Sequence, residues 1–256
     1  DDPTNITNLD DLANLVTVGS DGTGNLTIGG TVADDNTSFS AVQLSGLTTV
    51  NGTFTVSYNT AATSINFPAL TTTKGAVVIS QNNAALNISL PGSLTLTGPS
   101  SLTINNNTAT GLDINIGDVL TASSVYIHDN TGLSDVTIGT VNLSANLRVE
   151  TNQPSLTTVT VGTGVVGGYV GVSANNSTQL SSINMGISSV TGAVTLDNNN
   201  TNIGASISMS NLVSAGGTLT VSQIAAGAVS FPLFATAGAS VDITNNTGAT
   251  SVSLPA

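Results

Sequence analysis

The chain has 256 residues, of which 39% are hydrophobic and only 6% charged, with a formal net charge of −12 and no cysteine or tryptophan. Lys74 and Arg148 are its only bases, so no basic patch forms to neutralise phosphates, which excludes nucleic acid and anionic membrane surfaces as partners. Thr, Ser, Asn and Gly interrupt every apolar run short of the roughly 20 residues of a membrane-spanning helix, and the abundance of β-branched Val and Ile excludes disorder.

In chain order, residues 1–25 read as an N-terminal cap and first partial coil: they hold Asp1, Asp2, Asp10, Asp11 and Asp21, and an apolar stretch from Leu9 to Val18 long enough to lie over the first full coil. Residues 26–256 read as one repeat domain. Its unit is apolar, any, apolar, any, any, Asn, starting weakly as LTIGGT at Leu26 and continuing as FTVSYN, VVISQN, LTINNN, VYIHDN, LRVETN, VGVSAN, VTLDNN, LTVSQI and VDITNN. Successive copies begin 22 to 25 residues apart after a first interval of 28. A period of that length is the signature of a stacked-repeat architecture.

A second strand-like triplet follows each copy: Ile65-Asn66-Phe67, Ile88-Ser89-Leu90, Ile114-Asn115-Ile116, Val136-Thr137-Ile138, and so on to Val252-Ser253-Leu254. Apolar outer residues around a polar centre give a strand with one buried and one solvated face. A third, less regular segment reads LTTVNG at Leu47–Gly52, LTTTKG at Leu70–Gly75 and SSVTG at Ser188–Gly192, with a glycine for the turn into the next copy. Such short strands bury their apolar faces only by stacking on neighbouring repeats. The expected fold is therefore all-β, a right-handed parallel β-solenoid of about ten coils, with helix nearly absent because the remaining segments are rich in the poor helix formers Thr, Ser and Gly.

The asparagine that ends the first strand of nearly every coil, Asn59, Asn82, Asn107, Asn130, Asn152, Asn175, Asn199 and Asn246, is expected to form a buried ladder, each amide bonding backbone and the asparagines above and below. The outward residues of the second strand form a candidate flat binding face: Ser64, Asn66, Asn87, Ser89, Asn115, Thr137, Thr158, Thr160, Ser182, Asn184, Ser206, Ser208, Ser230, Ser251 and Ser253, with Asp113 and Asp135 interrupting it. N-x-S/T triplets at Asn5, Asn25, Asn36, Asn51, Asn87, Asn106, Asn142, Asn176 and Asn245 are candidate glycosylation sites and point to an extracellular protein. Asn175 and Asn199 also begin such triplets, but as ladder members they are discounted.

Groups for chemistry are scarce. His128 is the only histidine, and the alternation places it outward, stacked between Asn105 and Glu150 with Arg148 close by. That arrangement reads as a surface cluster; one histidine without further partners supplies neither a metal site nor a nucleophile's base. No enzyme activity, cofactor or metal is expected, and the Asp197–Asn200 turn lacks the acidic spacing of a dedicated calcium loop.

The unit LTTVNGTFTV at Leu47–Val56, followed by the strand-ending Asn59 and SINFPAL at Ser64–Leu70, resembles the receptor L-domain-like repeats of fungal GPI-anchored cell-wall proteins. The resemblance spans roughly residues 12–254 and implies a secreted, glycosylated, non-catalytic protein of the wall; the cysteines such proteins carry at the ends of the array are missing here. Two functions are expected on these grounds. One is a structural or adhesive surface protein touching cell-wall or matrix polysaccharide; the other is ice binding through the Ser/Thr/Asn-rich face. The end near Leu254 carries no charged cover, so self-association through it is also expected.

Overall fold

The computed structural model describes residues 9–20, 23–30, 35–152, 154–197 and 205–255. Among them the chain is built of short parallel strands, and the helical content is one 3-10 turn at Asp10–Leu12. It is a parallel β-solenoid of about nine turns. Each turn contributes strands to three columns.

The first column is a ten-stranded parallel sheet running from Leu26–Gly29 through Phe54–Ser57, Val77–Ser80, Leu102–Asn105 and Val125–His128 to Val241–Thr244. Every strand begins on the first apolar residue of a sequence repeat, and the register never slips: Leu26 lies against Phe54, Phe54 against Val77, and so on to Leu219 against Val241. The cause is the period-two alternation, since a slip by one residue would turn the apolar set out to solvent.

The second column stacks the triplets, from Ala41–Gln43 and Ser64–Asn66 to Ser251–Ser253, with Val42, Ile65, Ile88, Ile114, Val136, Val159, Ile183, Ile207, Val229 and Val252 in one row. The third segment, irregular in sequence, is a complete third column. Its strands, such as Thr17–Val18, Thr49–Val50, Thr72–Thr73 and Leu94–Leu96, are two to four residues long, except where Thr158–Val166 and Ser182–Val190 run on from the second column into the third.

Inside the three columns lies one continuous core of fully buried Val, Ile and Leu, with Phe54 and Phe67 packed edge to face at 4.7 Å. At the N-terminal end Thr17–Val18 is itself a third-column strand, and Leu9, Leu15 and Val18 pack partly buried on the core. In the last coil Val241, Val252 and Leu254 are 41–46% exposed.

The asparagine ladder occupies the corner after the first column. Asn59, Asn82, Asn107, Asn130 and Asn152 each donate Nδ2–H to the Oδ1 of the asparagine one coil on, at 3.0–3.2 Å, and their backbone N–H groups donate to the same oxygen. Each Nδ2 also donates to a first-column carbonyl of the coil before, such as Ile104 for Asn130 and Ile127 for Asn152. Asn175 continues the row by donating to the Val149 carbonyl. Asn246 takes part near the far end, accepting from the N–H of Ile224, the residue that stands in a ladder position of its own coil. Asn199 lies outside the described residues.

Candidate functional site

The second-column face is a flat polar surface. All the residues expected there are half-buried or exposed and none is buried, from Ser64 and Asn66, Asn87 and Ser89, Asn115 and Thr137, through Thr158 and Thr160, Ser182 and Asn184, Ser206 and Ser208, to Ser230, Ser251 and Ser253. They form two parallel rows: Ser64, Asn87, Asp113, Asp135, Thr158, Ser182 and Ser206 share one register position, and Asn66, Ser89, Asn115, Thr137, Thr160, Asn184 and Ser208 the other. Within a row neighbours are about 4.8 Å apart and the two rows about 7 Å apart, so the ten stacked strands make a face roughly 43 Å long.

Two carboxylates stand in that face on successive coils, Asp113 directly against Asp135. Asp135 accepts hydrogen bonds from the hydroxyls of Thr157 at 2.5 Å, Thr158 at 2.6 Å and Ser134 at 3.3 Å. Burial pushes its carboxyl up, but those hydroxyls outweigh burial and hold it below the ordinary carboxylate range. Asp113 is pushed up, first by burial and then by the charge of Asp135. The pair sits among hydroxyls and amides with no histidine or further acid beside it, and among the described residues no three His, Cys, Asp or Glu gather in one place.

A row that the sequence did not single out lies on the third column. Thr17, Thr49, Thr72, Thr95 and Thr121 occupy one register position on five successive coils, all half-buried or exposed. A bulge comes next, and the later positions are Asn142, Val165, Ser189, Ser214 and Thr236. The signal was the threonine run in LTTV and LTTT, masked by the absence of a repeated motif around Thr95 and Thr121.

On the first-column face His128 stacks between Asn105 and Glu150 as the alternation requires. Its Nδ1 lies 2.7 Å from Asp129, whose carboxyl is held below its usual range by that bond and by the Thr151 hydroxyl at 2.7 Å. Arg148 lies beside Glu150, with Nη1 3.7 Å from Oε2.

The sequons divide by burial. Asn25, Asn87, Asn142, Asn176 and Asn245 are exposed and Asn106 is half-buried. Asn36 and Asn51 correct the expectation from sequence. Asn36 is 3% exposed and donates to Asn59 Oδ1 at 3.2 Å, which makes it a further ladder member, while Asn51 is 7% exposed with its amide bonded to the Gly19 carbonyl. A glycan on either nitrogen would remove a buried donor. Asn5 lies outside the described residues.

No family model, no curated protein and no solved structure matches the chain.

Proposed function

We propose that the protein is a non-enzymatic structural or adhesive rod of an extracellular surface or cell wall, which lies with its second-column face along a wall or matrix polysaccharide. The observation that supports this is the unbroken register of that face over ten stacked strands. An extended glycan chain offers hydroxyls at short, regular intervals, and a surface of fixed hydroxyl and amide groups answers it with many weak hydrogen bonds rather than one deep pocket. The rod needs no ordering on contact, because its polar groups are already fixed by the sheet. Co-sedimentation with insoluble wall glycans tests the reading: the full chain is expected in the pellet, and Thr160→Arg with Asn184→Arg, which raise bulky charges from the middle of the face, in the supernatant. Equal retention of both proteins removes that face from the interaction, and no retention on any glycan removes the reading.

The row from Thr17 to Thr121 supports a second reading, ice binding, because regularly spaced threonines on a flat, uncharged column present methyl and hydroxyl groups at a lattice-like repeat. Thermal hysteresis of the purified protein, lost on Thr72→Tyr, is the expected result under that reading; freezing-point behaviour no different from an inert protein eliminates it.

A further inference from the structure

The first-column face changes character halfway along the rod. Its outward row begins Thr27, Thr55, Val78, Thr103 and then becomes Tyr126, Arg148, Gly171 in continuous register. The chain's single arginine, single glutamate and two of its three tyrosines are gathered here. Arg148 is clasped between two rings: its guanidinium carbon is 4.8 Å from the Tyr169 centroid and 5.9 Å from that of Tyr126. Cation–π contact of this kind fixes a guanidinium without using its N–H groups.

The surroundings hold the stack in place. Tyr169 reaches the row from just outside its strand because Gly171 leaves the space free; a Cβ there would strike ring carbon Cε1 and the hydroxyl. Asn146 links the two tyrosines, donating Nδ2–H to the Tyr126 hydroxyl at 3.2 Å and accepting the Tyr169 backbone N–H on Oδ1 at 2.9 Å. Burial pushes the Tyr169 phenol up.

The hydrogen-bonding capacity of the arginine is left unused. Among the described residues its ion-pair partner is Glu150 at 3.7 Å, beyond hydrogen-bond distance; Nε is buried without a partner, so the exposed Nη groups are the donors that face solvent. The two side chains remain 41% and 21% exposed. A donor fork and an acceptor thus stand side by side with a gap between them, on a rigid sheet. Neighbouring hydroxyls of a pyranose ring fit such a pair, one accepting from the guanidinium and the other donating to the carboxylate. Charge selects among sugars: with Glu150 and Asp197 in one row of this face, Asp129 bonded to His128 at its edge and a net charge of −12, a carboxylated or sulfated sugar meets repulsion and a neutral one does not.

We propose that the Tyr126–Arg148–Tyr169 stack with Glu150 is a subsite for one neutral hexopyranose unit of a glycan, Arg148 donating to one ring hydroxyl and Glu150 accepting from its neighbour. The inference rests on the polysaccharide reading above and names the sugar class and a second point of attachment, on a different face.

The protein supplies its own reporter, since it has no tryptophan and only Tyr58 lies outside the stack. Tyrosine emission of the full chain is titrated with neutral gluco- and N-acetylgluco-hexasaccharides and with a trigalacturonate. A saturable change with a neutral sugar is expected, weakened about tenfold or more by Arg148→Gln and by Glu150→Gln, as loss of a hydrogen bond to a charged group implies. Gly171→Ala, which displaces the Tyr169 ring, is expected to weaken it as well, and the uronate to bind at least about tenfold less tightly than the neutral sugar. Arg148→Gln and Glu150→Gln replace partly exposed side chains, so circular dichroism melting checks that they stay folded even where Gly171→Ala does not. Absence of a saturable change with any neutral sugar, wild-type affinity in both surface variants, or preference for the uronate overturns the subsite. Retention of wild type and Arg148→Gln alike on insoluble glycan, with one of those results, overturns the subsite and leaves the adhesion reading standing.

Discussion

Tyr58, Gln81, Asn106, Asp129, Thr151, Ala174, Gln223 and Asn245 follow no single residue type and include no glycine, yet each has φ between +53° and +60° and each immediately precedes a ladder position. Left-handed backbone at a residue with a Cβ costs roughly 1–2 kcal/mol, so the corner is strained in each of these eight coils. The asparagine next in the chain offsets the strain: turned inward, it meets acceptors on its own coil and the coil before and the next asparagine beyond. Asn130→Ala leaves those carbonyls and the Asn107 amide without their partner at a buried corner, and stability is expected to fall by about 1–3 kcal/mol in denaturant titration. An unchanged midpoint would mean that the ladder contributes nothing. The opposite sign is expected one residue earlier in another coil. Ala174 has φ +53° and no side-chain hydrogen bond to lose, so Ala174→Gly relieves the corner and is expected to raise stability by up to about 1 kcal/mol. These left-handed positions were not legible in the sequence, because none is a glycine and the conformation is imposed by the ladder residue after it. The ladder itself was legible, since an asparagine in the same place of nearly every repeat has few other uses in a buried corner.

At the scale of the strand, the first two columns could be read from the chain because alternation and period agree: residues such as Ile104, Ile127 and Val149 are fully buried and recur on the same beat. The third column was legible only where LTTVNG, LTTTKG and SSVTG mark it; elsewhere strands as short as Ser214–Ala215 are held by their neighbours rather than by any pattern of their own. The stack around Arg148 was half legible. Tyr126 and Arg148 occupy the same position of consecutive repeats, but Tyr169 joins them from outside its strand, across the gap at Gly171, which only the folded chain displays. Parallel in-register stacking also places like beside like, and Asp113 beside Asp135 is where this opposes the fold. The folded-state pKa of Asp113 is raised, so its favourable contribution is complete below the unfolded value of 3.8 and is lost as pH rises through the folded one. Asp113→Asn is therefore expected to melt higher than wild type at pH 7, with the gap closing as the pH drops below about 3.8. Asp135 has the reverse linkage. Its carboxyl is lowered in the fold, so its contribution is present above the unfolded value and fades as pH falls through the folded one, and Asp135→Asn is expected to melt lower than wild type at pH 7. Melting curves of both variants from pH 2.5 to 8 decide it; a shift of the same sign for both at neutral pH contradicts the geometry.

For the molecule as a whole, each coil touches only the coils before and after it, so stability is close to a sum of coil terms and nearest-neighbour interfaces. The register makes this testable by excision. Leu102 lies against Val77 on one side and Val125 on the other, so removing residues 102–124 takes out one complete coil and joins Ser101 to Val125. Every column then closes on an equivalent residue: Val77 meets Val125 in the first, Asn82 meets Asn130 at the ladder corner, and Ile88 meets Val136 in the second. The buried rows stay apolar, the cluster at Arg148 is untouched, and the rod is shorter by one strand spacing of about 4.8 Å. The excised protein is expected to keep the β-rich circular dichroism of the parent per residue, with a single transition a few degrees lower. Removing 102–112 alone deletes less of the chain, and within the same coil, but joins Ser101 to Asp113, setting a second-column strand where a first-column strand belongs. That chain has no register in which all three columns pair, and it is expected to lose its cooperative transition despite the smaller deletion. Equal melting of the two deletions would show that the repeats tolerate slippage, and with it that the polar rows proposed to meet a polysaccharide are not held in fixed register.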